Sequence, residues 1–305
     1  KTTVTYSNNT TFSDPMMMPK FQNTYGNMTG EMMSWGLETD KRYDPANFFN
    51  TGSNVSNALS LSTGNDKSQS YISVATTNAT GIMPNNDYDR YNFSFRNTTN
   101  FLNNKFILDT SANYIIQNDK NMVSQGQYFN PLTSLYLFPR GEDFSDVAVY
   151  ERYDDLSGVN TQYWPYGDLG GVSSQNPYWI MNRMNRENDR RRYKLAASLQ
   201  YNIIEGLNVQ GRVSIDNTES KYTEKFHAGT VGNFAGPKGR YKEENRLDRQ
   251  VYADVLANFN KTFNEFNVTA NLGASIKDLR MELTSLHGDL NNVTNHFTIE
   301  NLTRS

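Results

Sequence analysis

The residues able to do chemistry in this chain are few and scattered. Three histidines, His227, His287 and His296, could titrate near neutral pH, but none shares the spacing that pairs histidines on a metal. Without cysteine there is no thiolate ligand, no thiol nucleophile and no disulfide framework. No Gly-x-Ser-x-Gly elbow, phosphate loop or His-Glu-x-x-His helix occurs. Adjacent acids at Glu142-Asp143 and Asp154-Asp155 would serve hydrolysis only if a fold set them across a substrate, and solvated loops commonly carry such acids. Asn85-Asn86-Asp87-Tyr88-Asp89 and the Asp143/Asp146 cluster are rich enough in oxygen to be weighed as structural calcium sites. Neither has the mid-loop glycine and terminal glutamate of the twelve-residue calcium loop, and turn chemistry accounts for the same residues. The expectation is a protein that is not an enzyme and needs no metal or cofactor.

Binding chemistry fits better. Between Asp119 and Asp189 lie Tyr163-Trp164-Pro165-Tyr166 and Tyr178-Trp179, with further Tyr and Phe around them. Such side chains stack on sugar rings or grip peptide side chains while their polar ends hydrogen-bond. Their plainer use is to pack the loop on itself or against a capping subunit. Tyr163, Trp164, Tyr166, Tyr178 and Trp179 are the candidate ligand contacts. Where this loop re-enters a strand, Arg183, Arg186 and Arg190 gather with Arg191 and Arg192. Arginines at that level could hold lipopolysaccharide phosphates; a solvated strand end paired with Glu187 and Asp189 is the alternative.

The elements that must position these groups read as β-strands. In Tyr91–Leu102, Tyr91, Phe93, Phe95 and Phe101 share one parity while Asn92, Ser94, Arg96, Thr98 and Asn100 share the other. Successive strand side chains point to opposite faces, so this segment has one apolar and one polar face. The same alternation returns at 105–117, 192–203, 207–216, 250–259 and 266–277, and more weakly at Lys1–Ser7, Asn57–Thr63 and Ser68–Ala79. That makes nine strands, with a tenth expected in Val293–Arg304. Segments of about 14 residues are long for a soluble strand, and tilted by about 40° they would cross an apolar belt of about 25 Å.

The connections alternate strictly. Asn103-Asn104, Glu205-Gly206, Asn264-Glu265 and Gly64–Lys67 are short; 8–56, 80–88, 119–189 and 221–246 are long. All short turns therefore fall at one end and all long loops at the other, as in outer-membrane barrels with short periplasmic turns and longer extracellular loops. Composition agrees by exclusion. Across 305 residues the formal net charge is -3, against the basic footprint of nucleic-acid binding, and aromatics at 13% argue against a disordered chain. No run approaches the roughly 18 apolar residues of a spanning helix. The expected fold is all-β: an antiparallel transmembrane β-barrel. An open nine-strand sheet would leave bare edges that lipid does not tolerate, so either the chain oligomerises or, as expected here, the strands are part of a larger barrel.

One region is more specific. Phe21-Gln22-Asn23-Thr24-Tyr25-Gly26 leads to Ser34-Trp35-Gly36 and then to Tyr43-Asp44-Pro45-Ala46-Asn47-Phe48-Phe49-Asn50-Thr51-Gly52. Ser70-Tyr71-Ile72-Ser73-Val74, Gly81-Ile82-Met83-Pro84-Asn85 and Arg90-Tyr91-Asn92 follow. This order resembles the SusC/RagA-like TonB-dependent transporters of the Bacteroidota outer membrane. The resemblance is densest over 1–102. It implies a 22-stranded barrel with an N-terminal plug, a SusD-like surface lipoprotein as partner, energy coupling through TonB, and import of oligosaccharides or peptides. No plug sequence or TonB-contacting box is seen, so residues 1–305 are expected to be one partial barrel domain. The expected role is uptake of oligosaccharides, with peptide import as the alternative inside the family. A soluble secreted carbohydrate-binding β-protein or adhesin is the alternative outside it.

Overall fold

The computed structural model describes residues 2–41, 43–124, 126, 128–166 and 174–303. Lys1 and Arg304, at the ends of two expected strands, and 167–173 of the long loop lie outside the described residues. The fold is all-β. One antiparallel sheet holds β1 (Thr2–Ser13), β2 (Gly52–Gly64), β3 (Ser68–Thr80), β4 (Asp87–Phe101) and β5 (Phe106–Lys120). After the small loop hairpin β6 (Glu151–Asp154) and β7 (Val159–Gln162), it continues with β8 (Met184–Ile204), β9 (Leu207–Phe226), β10 (Arg240–Phe263) and β11 (Phe266–Asp289). Each sheet strand pairs with the next in sequence. Among the described residues β1 pairs only with β2 and β11 only with β10, so the sheet is not closed.

Turn chemistry sets the short ends. Asn103, Asn104 and Asn264 adopt the left-handed backbone that asparagine tolerates. Gly206, at φ +84, could not carry a side chain, because a Cβ would meet the Asn260 carbonyl oxygen at 2.5 Å.

Strands run longer than the alternation predicts, up to 24 residues in β10 and β11. The long connections shrink accordingly to 14–51, 121–183 and 227–239. The cause is visible in β11. Phe266, Val268, Ala270, Leu272, Ala274 and Ile276 share one face; beyond them the same face carries Asp278, Arg280 and Glu282, and Leu279, Met281 and Leu283 lie on the other. Backbone pairing continues where the alternation reverses, so hydrophobic pattern alone stops too early. The expected tenth strand is corrected: 291–302 folds back through a Leu290–Leu302 bridge. Asn301 closes that loop by accepting from the amides of Asn292 and Val293 and donating to the carbonyls of Val293 and His296.

A single hydrogen-bonded row reveals the tilt. It runs Thr2, Thr63, Ser70, Asn97, Thr110, Ala197, Val213, Ala253, Ile276. With the short turns taken as the level edge, the row climbs about eight residues across six strands, a slope of about 40° at roughly 3.3 Å per residue and about 4.8 Å per strand. On β4, β8 and β11 the apolar face ends at Tyr91, Tyr193 and Ile276, each about 12 residues from its turn, a height near 30 Å. No described helix is long and apolar enough to cross a membrane.

Most of the buried core lies off the sheet. It sits at the long-loop end, where Tyr43, Phe48, Met83, Leu135, Phe138, Phe144, Val147, Trp179, Ile180, Met181, Met184, Phe226 and Ala235 cluster.

Candidate functional site

The long loops form a roof. Three short helices, α1 (Pro131–Tyr136), α2 (Phe144–Ala148) and α3 (Pro177–Arg183), begin at Asn130, Asp143 and Asn176, each capping its helix with a side-chain oxygen. Proline at the first helical position of α1 and α3 costs no hydrogen bond there. The Asn-Pro pairs were the sequence signal for structure inside this loop, and periodicity does not detect them. Asn176 also donates to the carbonyls of Val147 and Tyr163 and accepts from Tyr178 N–H.

The candidate aromatics belong to this roof. Trp179 has no exposed surface and its indole N–H donates to Thr230 Oγ1 at 3.0 Å, anchoring α3 to the 227–239 loop. Tyr178 packs at 5.0 Å from Phe48 and 5.7 Å from Phe144. Trp164 and Tyr166 meet edge to face at 5.0 Å, and Tyr166 packs against Phe138 at 5.4 Å. Tyr163 lies under the Arg152 guanidinium, 3.3 Å from ring centre to Cζ. Tyr163, Trp164, Tyr166 and Tyr178 keep partial exposure; Trp179 is a structural anchor. Burial raises the Tyr43, Tyr166 and Tyr178 phenols above their usual pKa, so they stay neutral donors; Tyr43 donates to Leu135 O at 2.8 Å.

A polar knot fixes the roof to the sheet. The Asn121 side chain donates to the carbonyls of Asn85 and Met181 and accepts from Arg186 N–H. The Asn85 and Asn86 amides, weighed above for calcium, donate to backbone carbonyls of Met181, Lys120 and Asn121. The paired acids are used apart: Glu142 accepts from Asn27, Asp143 caps α2 and Asp154 accepts from Ser157 N–H.

The arginines divide between the roof and the strand. Arg183 leaves α3 as a bidentate pair with Glu151, at 2.6 and 2.8 Å, which holds the Glu151 carboxyl below its usual range and raises the guanidinium. Beside it, His227 is pushed down by burial, and its Nδ1 lies 2.8 Å from Arg183 O. Arg186 is buried under the roof, its guanidinium over the Phe129 ring and bonded to Ser124 Oγ. Arg190 and Arg192 follow Arg186 on the polar face of β8, not on the face of Tyr193 and Leu195. Of the three candidate phosphate contacts, Arg186 and Arg190 therefore point away from the apolar side of the sheet, and Arg183 is held in the roof by Glu151. Cations on the apolar side at this level include Lys120, Arg191, Lys221, Lys225, Arg249 and Arg280.

Below the roof, the polar face forms a basin of about 610 Å³ lined by Asp119, Asn188, Arg190, Arg192, Thr218, Ser220, Tyr222, Glu244, Arg246 and Asp248. Nothing in the periodicity marked it, because its residues come from four strands brought into register. Roof and basin define a class: a tilted antiparallel wall with one apolar face, one charged face, and a loop roof folded over the charged side.

No protein-family model matches the chain, and no curated protein does. Solved structures do. The chain is similar to one titled "Structure of the RagAB peptide importer in the 'open-open' state", with a TM-score of 0.62 and 15% identity over 87% of this chain and 29% of that one. The "closed-closed" state of the same importer gives a TM-score of 0.61 and 14% identity over 82% of this chain and 27% of that one. The likeness is one of fold. The chain spans less than a third of the length of the solved chains it matches.

Proposed function

We propose that this chain forms part of the wall of a SusC/RagA-like, TonB-dependent nutrient importer in a Gram-negative outer membrane, working with a SusD-like lipoprotein. One observation carries the reading: an apolar face of near-membrane height, tilted by about 40°, opposite a charged face covered by loops at one end only. The likeness to RagAB importer chains supports it. In the complete protein further strands, about 22 in all, would pair with the open edges of β1 and β11, because lipid leaves no unpaired strand edge. The apolar face meets lipid, and the roof is the surface offered to the lipoprotein. The wall binds and guides; no covalent step, metal or cofactor is assigned to it. The plug and the TonB contact are assigned to no residue here. Oligosaccharides and peptides are the two ligand classes the reading admits.

These 305 residues hold no cysteine, so one introduced here can be compared with the otherwise unchanged transporter as background. Leu199→Cys faces the apolar side and Ser198→Cys the polar side of the same strand. In whole outer membranes a water-soluble maleimide is expected to label Ser198→Cys and spare Leu199→Cys. Equal labelling of both would overturn the wall reading.

A further inference from the structure

The basin under the roof is drawn from three rows of the ladder. The upper row is Asp119, Asn188, Tyr222, Glu244; the middle is Gln117, Arg190, Ser220, Arg246; the lower is Ile115, Arg192, Thr218, Asp248. All point to the polar face, and Arg190 lies above Tyr193, where the apolar face of β8 ends. The basin thus stands in a vestibule between roof and belt. Most of its charges are already matched. Arg192 is forked to Asp216, Arg246 to Asp248, and Glu244 is paired with Lys242 at 3.1 Å. Asp119 accepts from Asn188 at 3.1 Å. Arg190 differs: it is exposed, and among the described residues its one side-chain contact is a 3.4 Å hydrogen bond from Nε to Ser220 Oγ. No described carboxylate pairs with it.

We infer that Arg190 is the anchor of a binding site for the terminal carboxylate of a peptide. This rests on the importer reading and chooses between its two ligand classes. A planar guanidinium with its terminal nitrogens uncommitted matches a carboxylate in bidentate fashion. The acids around it discriminate further. Asp119, Glu244 and Asp248 balance the three arginines that line the basin, so it offers one uncommitted cation, which suits a single terminal carboxylate and not the repeated charges of a polyanionic glycan. A neutral glycan would want open aromatic faces. Among the described residues the one aromatic lining the basin is Tyr222, whose hydroxyl donates to Glu224; the partly exposed Tyr163, Trp164, Tyr166 and Tyr178 of the roof do not line it.

The test uses the full-length transporter with its lipoprotein, extracted from the outer membrane in detergent. The probes are a pentapeptide pool with free C-termini, the same pool C-terminally amidated, maltoheptaose, and a galacturonate oligomer. Binding of the free-acid pool is expected to fall at least tenfold in Arg190→Gln, recover in part in Arg190→Lys, and stay unchanged in Arg249→Gln on the apolar side. The wild type is expected to bind the amidated pool at least tenfold more weakly than the free acid, a comparison that does not depend on any variant folding. Equal binding of both pools, no effect of Arg190→Gln, preference for either oligosaccharide, or no peptide binding by the wild type would each overturn the site. Failure of the importer reading is separately visible as equal maleimide labelling at 198 and 199.

Discussion

Arg212 and Asp254 meet across the β9–β10 ladder on the polar face, fork to fork, with a closest contact of 2.6 Å. Asp254 is the more enclosed partner, its side chain 6% exposed, and Tyr252 donates its hydroxyl to it at 2.6 Å. The pair stands level with the apolar belt, on the opposite face. Arg96–Asp109 and Arg192–Asp216 share that face, whereas Lys221–Glu243, Lys225–Glu187 and Arg280–Glu282 use the apolar side only above the belt.

Asp254→Ala leaves Arg212 without its carboxylate and Tyr252 without its acceptor. A lower unfolding temperature of the extracted protein is expected. The double change Arg212→Met with Asp254→Leu should cost less than Asp254→Ala alone, because no uncompensated charge remains.

Leu272 lies mid-belt on the apolar face of β11, with Asn271 beside it on the other face. Leu272→Arg is expected to cost about 2–4 kcal/mol in the membrane and Asn271→Arg little. The fraction of assembled, heat-modifiable protein on gels measures both. Equal losses would contradict the face assignment.

Trp179→Ala removes the largest fully buried side chain of the roof and leaves Thr230 Oγ1 without its donor. About 3–5 kcal/mol is expected for the truncation and less for Trp179→Phe. Limited proteolysis should then cut the 121–183 loop while the strands stay protected.

Acid should loosen the same roof in two stages. The folded His227 resists protonation, so as pH falls below about 6.5 the unfolded form takes the proton first and stability drops. Glu151 holds its charge lower than an unfolded glutamate. Its contribution is present above about 4.5 and lost as pH falls through the folded value. Hydrogen exchange of α3 amides against pH should show both stages, and His227→Gln should remove only the upper one.

Much of this was legible in the chain. Alternation at 91–102 or 266–277 specifies a strand with two unlike faces, because the period of two is a property of extended backbone. Asn103-Asn104 and Glu205-Gly206 specify tight returns through their tolerance of positive φ. From these alone come nine strands, their order, and the end at which the long loops gather. Strand ends were not legible above the belt, where water wets the apolar side and Asp278, Arg280 and Glu282 interrupt the pattern while pairing continues.

The side chains with the most chemical promise were decided only by tertiary structure. Trp179 reads as a ligand platform in sequence, yet α3 turns it into the core against Thr230. Arg190 reads as a lipid-phosphate contact, yet register puts it on the polar face with Ser220 and Arg246 in its row. A strand's pattern says which residues share a face; which face is covered, and by which loop, depends on contacts between residues far apart in sequence, and no local periodicity encodes those.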